Sequence, residues 1–567
     1  MKLYVVFAIL ILFLTGCNNY SGNQEESLGI KAVSRNYSIT PDNAYNDLFL
    51  DSARMERFIR QQQLNDTIAG IMRSFYNARN YQYAWFDSKG LTEQALAFRN
   101  LYDYTKDSGT KRKNLDYTLD KLATKQNLTV TPSNPVTTKA ELMLTWRFIN
   151  YTEDVYNDSR HISYVRNRFI PAKKADAMHM AKLVLNEKDR AGLNNEAYNL
   201  LKQHLKKYVG IAENGGWQQI PAIKKKYKRG SSDSVIVYIK KRLHATGELP
   251  ADDSMALFDE RLDSAVRSLQ ARYGYKQDGI ITPELVKQLN ISAEARVEQL
   301  LINMLRMRWI PDEPKGKLIV VNIPEFTLHV KEGNKEVFSM NIVVGKEGTN
   351  TVLFAGELNQ VVFSPYWNIP ESIVTNEILP AMEEDPDYLA KNNMEVVKEE
   401  DDIPVIRQLP GDKNQLGKVK FLFPNSFNIY FHDTPHKGIF EKDKRAYSHG
   451  CIRLSEPEKL AQYLLKDHPD WTPEKIQEAM NSGEEKYVKV KDPVPVLIYY
   501  YTAWVDNTGT LQFREDIYNR DKHMAAKLFT GKHSLARDQL ADVKGIMLKM
   551  PNTKALLANK KNRFAEN

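Results

Sequence analysis

The spacing of hydrophobic residues changes near Pro311. From about residue 41 to 225, apolar residues recur every three to four positions, as they do between Glu141 and Ile149, and this period predicts amphipathic helices. After Pro311, apolar and polar residues alternate, which predicts β-strands. The pattern therefore predicts a multidomain α+β protein. The aromatic residues expected in the helical core are Trp85, Phe86, Trp146 and Phe148.

A shorter helical unit is predicted between residues 227 and 291. Asp259 is suited to cap its middle helix, and Thr282 followed by Pro283 is typical of the start of another. Asp278-Gly279 supplies a turn between these two helices. The middle helix would bury one face, which consists of Leu262, Val266, Leu269 and Tyr273. We expect three helices in this unit.

The predicted β region contains three further features. A helical piece and an acidic stretch at about 371–405 indicate an insertion over the sheet. The segments 494–506 and 511–518 predict a late hairpin. Ser455 and Glu458 have the spacing of a capped helix start. Beyond the β region, residues 521–567 have the composition of a basic, weakly amphipathic helical tail with no evident chemistry.

The N-terminus has the pattern of an export signal. Its apolar run from Leu3 to Leu14 is too short to span a bilayer and has the length of a signal-peptide core. The sequence Leu14-Thr15-Gly16-Cys17 resembles a bacterial lipobox. That resemblance implies cleavage before Cys17, lipidation of its thiol, and a stable membrane anchor. Residues 18–40, rich in Asn, Ser, Gln and Glu, would form a tether.

The composition argues for a multidomain protein that does not bind nucleic acid, and it singles out the thiol of Cys451. With 567 residues the chain is long enough for several domains. Its formal net charge of +8 is mild and dispersed, so nucleic acid is a poor candidate partner. If Cys17 carries lipid, Cys451 has no cysteine left to pair with. A lone thiol in an oxidising compartment is a liability, so its presence indicates a chemical role.

Cys451 and His432 have the ingredients of covalent acyl transfer. Imidazole can accept the thiol proton, after which the sulfur attacks a carbonyl carbon. Gly450 allows close approach, and its amide with that of Cys451 would face a developing oxyanion. A hydrogen-bonded pair should lower the thiol pKa and favour thiolate and imidazolium. A zinc site would need His432, His436, His449 and Cys451, but Pro435 disfavours a helical ligand pair there.

The motif from Ser448 to Arg453, together with His432, resembles the signature of YkuD-type L,D-transpeptidase catalytic domains. The segments Pro365-Tyr-Trp-Asn-Ile-Pro and Arg407-Gln-Leu-Pro-Gly resemble the large subgroup that carries a helical scaffold, a binding module and a capping insertion. The three-helix unit itself resembles a peptidoglycan-binding module. A module that has kept this fold but lost its ligand is the alternative.

The family resemblance implies a role for each residue of the motif. Cys451 would be the nucleophile and His432 the base, oriented by the backbone carbonyl of Asp433. Gly450 and Tyr430 would lie around the oxyanion. The substrate pocket would be shaped by Arg453, His449, Ser448 and Trp367, although loop bracing is an alternative for His449, scaffolding for Arg453 and packing for Trp367. No metal or organic cofactor is required, and carbapenem-type β-lactams would acylate the same thiol.

The implied reaction is transfer of a tetrapeptide donor stem to a neighbouring stem, which gives a 3–3 peptidoglycan cross-link. Transfer to water or to a protein lysine would make the protein a carboxypeptidase or an anchoring enzyme. A non-catalytic, lipid-anchored wall-binding scaffold is the other alternative. The expected location is the periplasm, on the outer membrane, with peptide stems as partners and protein partners unknown.

The predicted domain organisation follows from these patterns. It consists of a signal peptide at 1–17, a tether at 18–40, a helical scaffold at 41–226, a peptidoglycan-binding-like unit at 227–291, a catalytic domain at 312–520 and a tail at 521–567.

Overall fold

The computed structural model describes residues 32–105, 114–124, 130–156, 169–187, 196–250, 254–309, 316–333, 335–400 and 403–531. The predicted signal peptide, the lipidation site Cys17 and most of the tether lie outside these ranges. Within them, no helix is long and apolar enough to cross a membrane. The multidomain α+β organisation is confirmed: helices dominate the N-terminal part and a large β-sheet dominates the C-terminal part.

Seven helices precede the three-helix unit in the described residues: α1 Ser52–Gln61, α2 Asp66–Ala78, α3 Glu93–Thr105, α4 Asn114–Thr124, α5 Pro135–Tyr156, α6 Ala177–Asn186 and α7 Glu196–Glu213. A short strand pair, β1 Phe86–Asp87 and β2 Gly90–Leu91, lies between α2 and α3. The aromatic core expected here is present: Trp85, Phe86 and Phe148 are fully buried, and Trp146 is half-buried. Trp85 packs against Phe148 with ring centroids 5.3 Å apart.

The three-helix unit forms as predicted, with α8 Val235–Thr246, α9 Glu260–Tyr273 and α10 Pro283–Leu289. The Asp259 side chain accepts a hydrogen bond from the Leu262 amide, and Thr282 accepts one from the Leu285 amide. Both predicted caps are therefore confirmed. The predicted apolar face of α9 is buried as well.

A long helix, α11 Ala293–Met307, follows and is buried on all sides. The predicted domains leave this helix out, because Arg296, Glu298 and Arg306 are typical of a solvent-exposed face, whereas all three are buried in the folded protein. Its apolar side chains share one hydrophobic core with α6, α7, the three-helix unit and residues 503–529.

The first residues of the predicted tail, 521–528, belong to the folded body of the protein. Helix α17, Arg520–Leu528, packs into that shared core through Met524 and Leu528. Asp521 is buried and pairs with Arg306 of α11 at 2.6 Å. The prediction of a tail from residue 521 is wrong because ion pairing to a distant helix hides polar residues in the interior.

The C-terminal region contains a nine-stranded sheet whose order is β12-β5-β13-β11-β10-β6-β14-β3-β4. Its strands are β3 Lys317–Asn322, β4 Thr327–Glu332, β5 Lys335–Gly345, β6 Ala355–Phe363, β10 Val419–Leu422, β11 Phe431–His432, β12 Ala446–Ser448, β13 Ile452–Leu454 and β14 Lys486–Tyr499. Since β5 also pairs with β4, the sheet closes into a barrel, and β12 lies beside it. Alternate residues of each strand fill the barrel core.

Helices α15 Pro457–Leu465 and α16 Pro473–Asn481 pack on the barrel. The cap predicted at Ser455 is wrong: the N-cap residue is Glu456, and it makes no side-chain capping bond. The Ser455 amide instead hydrogen bonds to the Asn341 carbonyl oxygen at 3.0 Å, which continues the pairing of β13 with β5 past the strand end. The predicted late hairpin is present as β15 Ala503–Val505 and β16 Leu511–Phe513.

The insertion forms a small subdomain between β6 and β10. Strands β7 Trp367–Asn368, β8 Met394–Glu400 and β9 Ile403–Gln408 make a three-stranded sheet. Short helices lie between β7 and β8: α12 Glu371–Ile373, a π-helix at Val374–Ile378, α13 Leu379–Glu384 and α14 Tyr388–Lys391. We call residues 367–408 the capping insertion. It extends beyond the predicted 371–405 because Trp367 pairs with Gln408 and Asn368 pairs with Arg407. Strand pairing of this kind cannot be predicted from the distribution of charged residues.

Candidate active site

His432 lies on β11, which pairs in parallel with β13 and places His432 opposite Arg453. Its Nδ1 lies 2.5 Å from the carbonyl oxygen of Asp433, the contact implied by the motif. Because a carbonyl oxygen only accepts, Nδ1 carries the proton and Nε2 is left as an acceptor. The Asp433 carboxylate holds this segment in place by accepting from the Lys418 amide at 2.9 Å and from Lys437 Nζ at 2.5 Å.

Cys451 lies at the end of the turn between β12 and β13. The Ser448 hydroxyl organises this turn, since it donates to the Cys451 carbonyl oxygen at 2.5 Å and accepts from the Gly450 amide at 3.1 Å. Gly450 has φ +117°, which few other residues adopt. Its amide is therefore engaged inside the turn rather than turned towards an incoming carbonyl. The Cys451 amide, by contrast, has no acceptor among the described residues.

Residues from a different part of the sequence support the turn. The Thr351 hydroxyl donates to the Gly450 carbonyl oxygen at 2.8 Å, and the Thr349 hydroxyl donates to the Ser448 carbonyl oxygen at 3.1 Å. The Tyr518 hydroxyl donates to the Gly345 carbonyl oxygen at 2.6 Å and accepts from the Thr351 amide at 3.3 Å. These residues were missed above. Thr351 lies 99 positions before Gly450, and no local pattern distinguishes it from other threonines.

One cleft of about 1090 Å³ contains most of the predicted site. Its walls come from the barrel and from the capping insertion. The predicted residues that line it are Trp367, Tyr430, His432, Ser448, His449, Cys451 and Arg453. Asp433 and Gly450 lie behind this surface, and Trp367 also packs against the apolar core of the capping insertion.

Arg453 is the notable cation of this cleft. Its Nε is buried without a hydrogen-bond partner, and the described residues supply no ion pair to its guanidinium. Lys420 also lines the cleft but is already paired with Glu485 at 3.2 Å. An unpaired guanidinium beside a thiol and an imidazole is suited to recognise a carboxylate of the reacting substrate.

Comparison with known families agrees with this arrangement. The family model of the YkuD L,D-transpeptidase catalytic domain matches residues 316–520. The chain carries an L,D-transpeptidase catalytic domain. A scaffold domain matches residues 70–206, and a putative peptidoglycan binding domain matches residues 232–289.

Individual relatives carry the same description. A putative L,D-transpeptidase from Haemophilus influenzae is 32% identical over 250 residues, which cover 41% of this chain and half the length of that relative. An L,D-transpeptidase structure from Stackebrandtia nassauensis is 13% identical, with 48% of this chain and 94% of that chain covered and a TM-score of 0.21. An L,D-transpeptidase structure from Mycobacterium smegmatis is 16% identical, with 32% of this chain and 58% of that chain covered and a TM-score of 0.19.

Burial is the largest influence on the pKa of both Cys451 and His432 in this L,D-transpeptidase domain. It raises the pKa of the Cys451 thiol, although hydrogen bonds from Tyr430 and the charge of Arg453 act in the opposite direction. Burial and, to a smaller extent, the charge of Arg453 together lower the pKa of His432 to about 3. Both shifts favour a neutral thiol and a neutral imidazole over the expected thiolate and imidazolium. The thiol lies 3.6 Å from the Asn428 carbonyl oxygen, to which it donates.

The capping insertion of the L,D-transpeptidase domain touches the turn that carries Cys451. His449 Nε2 lies 3.1 Å from Glu377 Oε1, and both side chains are substantially exposed. Glu377 belongs to the π-helix of the insertion. This contact joins the two walls of the cleft next to Cys451.

Proposed function

We propose that this chain cross-links peptidoglycan by acyl transfer through Cys451. The sulfur attacks the carbonyl carbon of the third residue of a tetrapeptide stem, and the terminal D-residue leaves as a free amino acid. The amine of a neighbouring stem's third residue then attacks the thioester and yields a 3–3 cross-link. The observation that carries this proposal is the convergence of Cys451, His432 and the unpaired Arg453 in one cleft.

Proton transfer in this scheme starts from neutral groups. His432 Nε2 accepts the thiol proton as the sulfur attacks, and the resulting imidazolium gives that proton to the leaving amine. In the second half, the same nitrogen takes a proton from the acceptor amine and returns it to the sulfur. The Asp433 carbonyl oxygen holds Nδ1–H throughout and so keeps Nε2 directed at the reacting atoms.

The tetrahedral intermediate requires donors for its oxyanion. The Cys451 amide is available in the described structure, and the Tyr430 hydroxyl, which hydrogen bonds to the Cys451 sulfur, lies beside it. We assign these two groups to the oxyanion in preference to the Gly450 amide, which Ser448 occupies. Donors placed before the reaction stabilise developing charge without reorganisation.

Arg453 would bind the terminal carboxylate of the tetrapeptide donor. Its charge also lowers the pKa of His432, so a carboxylate placed against it would partly cancel that effect. Donor binding would then make His432 a better base at the moment when the thiol must lose its proton. A free enzyme with a neutral, unreactive thiol is consistent with this order of events.

The test follows the acyl-enzyme and the product separately. The native protein is incubated with a defined tetrapeptide stem, its mass is measured intact, and the muropeptides formed from wall material are analysed. We expect a thioester adduct on the Cys451 peptide and 3–3 dimers, both absent from Cys451→Ala and retained in His436→Ala, which changes an exposed histidine close by in sequence. An adduct that yields only hydrolysed tripeptide would support the carboxypeptidase instead.

Peptidoglycan-acting domains indicate a protein of the cell envelope. We further propose that lipid on Cys17 anchors it to the outer membrane and that the three-helix unit at 227–291 binds the wall. Cys17→Ala should then release the protein from membranes and change the mass of the N-terminal peptide. Deletion of the three-helix unit would expose the hydrophobic core that it shares with α11. Wall binding should therefore be tested by substituting exposed residues of this unit, with the unit itself kept.

A further inference from the structure

A second cleft lies on the outer face of the barrel, away from Cys451. It has a volume of about 230 Å³ and is bounded by the barrel, by the tip of the β15–β16 hairpin and by the ends of α7 and α11. Strands β14, β3 and β4 are consecutive in the sheet and form its floor. Strand β3 lies four strands from β11 around the barrel, so this cleft and the catalytic cleft are on different sides.

Strand alternation explains why this floor has apolar and aromatic residues. Ile319 and Val321 point into the barrel core, so their neighbour Val320 points outwards. Val320 is opposite Leu497 on β14 and His329 on β4, which places all three on the outer face. The cleft is thus built by the same strands that build the barrel core.

Three aromatic side chains dominate this cleft: Tyr499, Tyr501 and Trp504. All three are half-buried, and the two tyrosine rings lie 5.3 Å apart. The Arg514 guanidinium lies 4.9 Å from the centre of the Trp504 ring and supports it. The Tyr501 backbone amide donates to Asn322 Oδ1 at 2.8 Å, which fixes this residue at the edge of the cleft.

A polar cluster adjoins the aromatic rings. His329 lies between two carboxylates, with Nε2 3.3 Å from Glu325 and Nδ1 2.7 Å from Glu336. Burial alone would lower the pKa of His329, but hydrogen bonds and charge from these carboxylates outweigh it and raise the pKa. Each carboxylate uses one oxygen on His329, which leaves the other to accept from hydroxyl or amide donors.

We propose that this cleft binds an uncharged, N-acylated sugar unit of the peptidoglycan glycan strand. A pyranose ring has apolar faces that pack on aromatic rings, and its hydroxyl and amide N–H groups match carboxylate acceptors. An anionic ligand would meet Glu325 and Glu336, whereas a purely apolar ligand would leave them without donors. The identity of the polymer rests on the proposed function. The cleft would hold the glycan while the peptide stem reaches Cys451 from the other side of the barrel.

The test uses the full chain and a sugar probe without peptide, the β-1,4-linked tetramer of N-acetylglucosamine. Its affinity is measured by calorimetry, and hydrogen exchange locates the bound probe. We expect protection within residues 497–507 and at least tenfold weaker binding by Tyr501→Ala and by Trp504→Ala. Glu336→Gln, which keeps the side-chain shape, should weaken binding several-fold. Tyr117→Ala changes an exposed tyrosine of α4 and should bind like the native protein.

Two outcomes would overturn the proposal. One is protection confined to the three-helix unit at 227–291, and the other is unchanged affinity in Glu336→Gln and Trp504→Ala. Thermal unfolding of each variant shows whether it is folded. If an aromatic variant is unfolded, the result for Glu336→Gln still decides the test. Acylation of Cys451 by a free tetrapeptide is measured in the same variants. Its absence in the native protein would refute the proposed function but leave the sugar site intact.

Discussion

The turn that carries Cys451 and the capping insertion that faces it are held in very different ways. Hydroxyl groups of Ser448, Thr349 and Thr351 hold the carbonyls of the turn, and Thr351 is fully buried. The insertion has a small core of its own, whose buried members are Ile369, Ile373, Val374, Ile378 and Ile406. It meets the turn through a pair of exposed side chains, His449 and Glu377.

This difference separates two requirements of the site. Acyl transfer needs the sulfur, the imidazole and the oxyanion donors fixed to within a fraction of an ångström, and buried hydrogen bonds supply that precision. A polymeric substrate would need room to enter and leave, and a subdomain with so small a buried core is expected to open locally at lower cost than the barrel. Changes in the turn should therefore affect the chemical step, and changes in the insertion should affect binding and access.

The largest effect is expected from His432→Ala. Without the imidazole, neither the thiol proton nor the leaving amine has a partner, and general acid–base catalysis contributes about 10²- to 10⁴-fold in rate. The rate of Cys451 acylation by a tetrapeptide donor should fall by that amount. His436→Ala serves as the control. A loss of less than about tenfold would assign the base to another group.

Arg453→Ala should abolish the preference for tetrapeptide over pentapeptide donors. Loss of a charge-assisted hydrogen bond to the terminal carboxylate costs about 1.5–3 kcal/mol, which corresponds to roughly ten- to a hundredfold in rate. The measurement is release of the terminal D-residue from each stem. Arg453→Lys keeps the charge without the planar fork and should recover only part of the preference. Equal use of both stems by the native enzyme would refute the carboxylate-binding role.

Thr351→Val should slow acylation by about tenfold at saturating donor, because a small displacement of the turn is enough to misplace a nucleophile. Valine keeps the shape of threonine but leaves the Gly450 carbonyl oxygen without its donor. Thr351→Ser should restore the rate. Thr502→Val is the matched control, since it removes a buried hydroxyl that hydrogen bonds to Asp521. Both valine variants should lose stability, but only Thr351→Val should lose rate.

The sequence predicts the parts of this arrangement that are encoded locally. The change of period near Pro311 and the caps at Asp259 and Thr282 depend on neighbouring residues. The placement of Cys451 and His432 in one cleft was expected from a motif that includes both residues. The support from Thr351 and Tyr518 depends on contacts between distant segments. The charge state of Cys451 depends on burial, which spacing does not reveal. Long-range contacts and desolvation therefore account for most of what was missed.

Alkylation of Cys451 in the free enzyme should be slower than that of a simple thiol at neutral pH. Because the pKa of the thiol is raised, Cys451 is neutral at pH 7 and forms thiolate only when the pH exceeds that pKa. At a fixed pH below the pKa, each unit by which the pKa is raised lowers the thiolate fraction about tenfold. The iodoacetamide rate should still be rising above pH 9. His432→Ala should leave the neutral-pH rate within about twofold, since the thiol bonds to Asn428. Fast alkylation that is lost in His432→Ala would instead support a thiolate–imidazolium pair of Cys451 and His432.

The smallest effect is expected from Glu377→Gln, which weakens the contact between the capping insertion and the turn. Exposed ion pairs contribute about 0–1 kcal/mol, so the change should be no more than about fivefold. If the insertion controls access, as we propose, this change should appear in KM for the donor stem, with the acylation rate at saturation unchanged. Glu384→Gln, on the same insertion but outside the cleft, is the matched control. A fall in the saturated rate instead would place Glu377 among the groups that position Cys451, and the contrast between the two walls would fail.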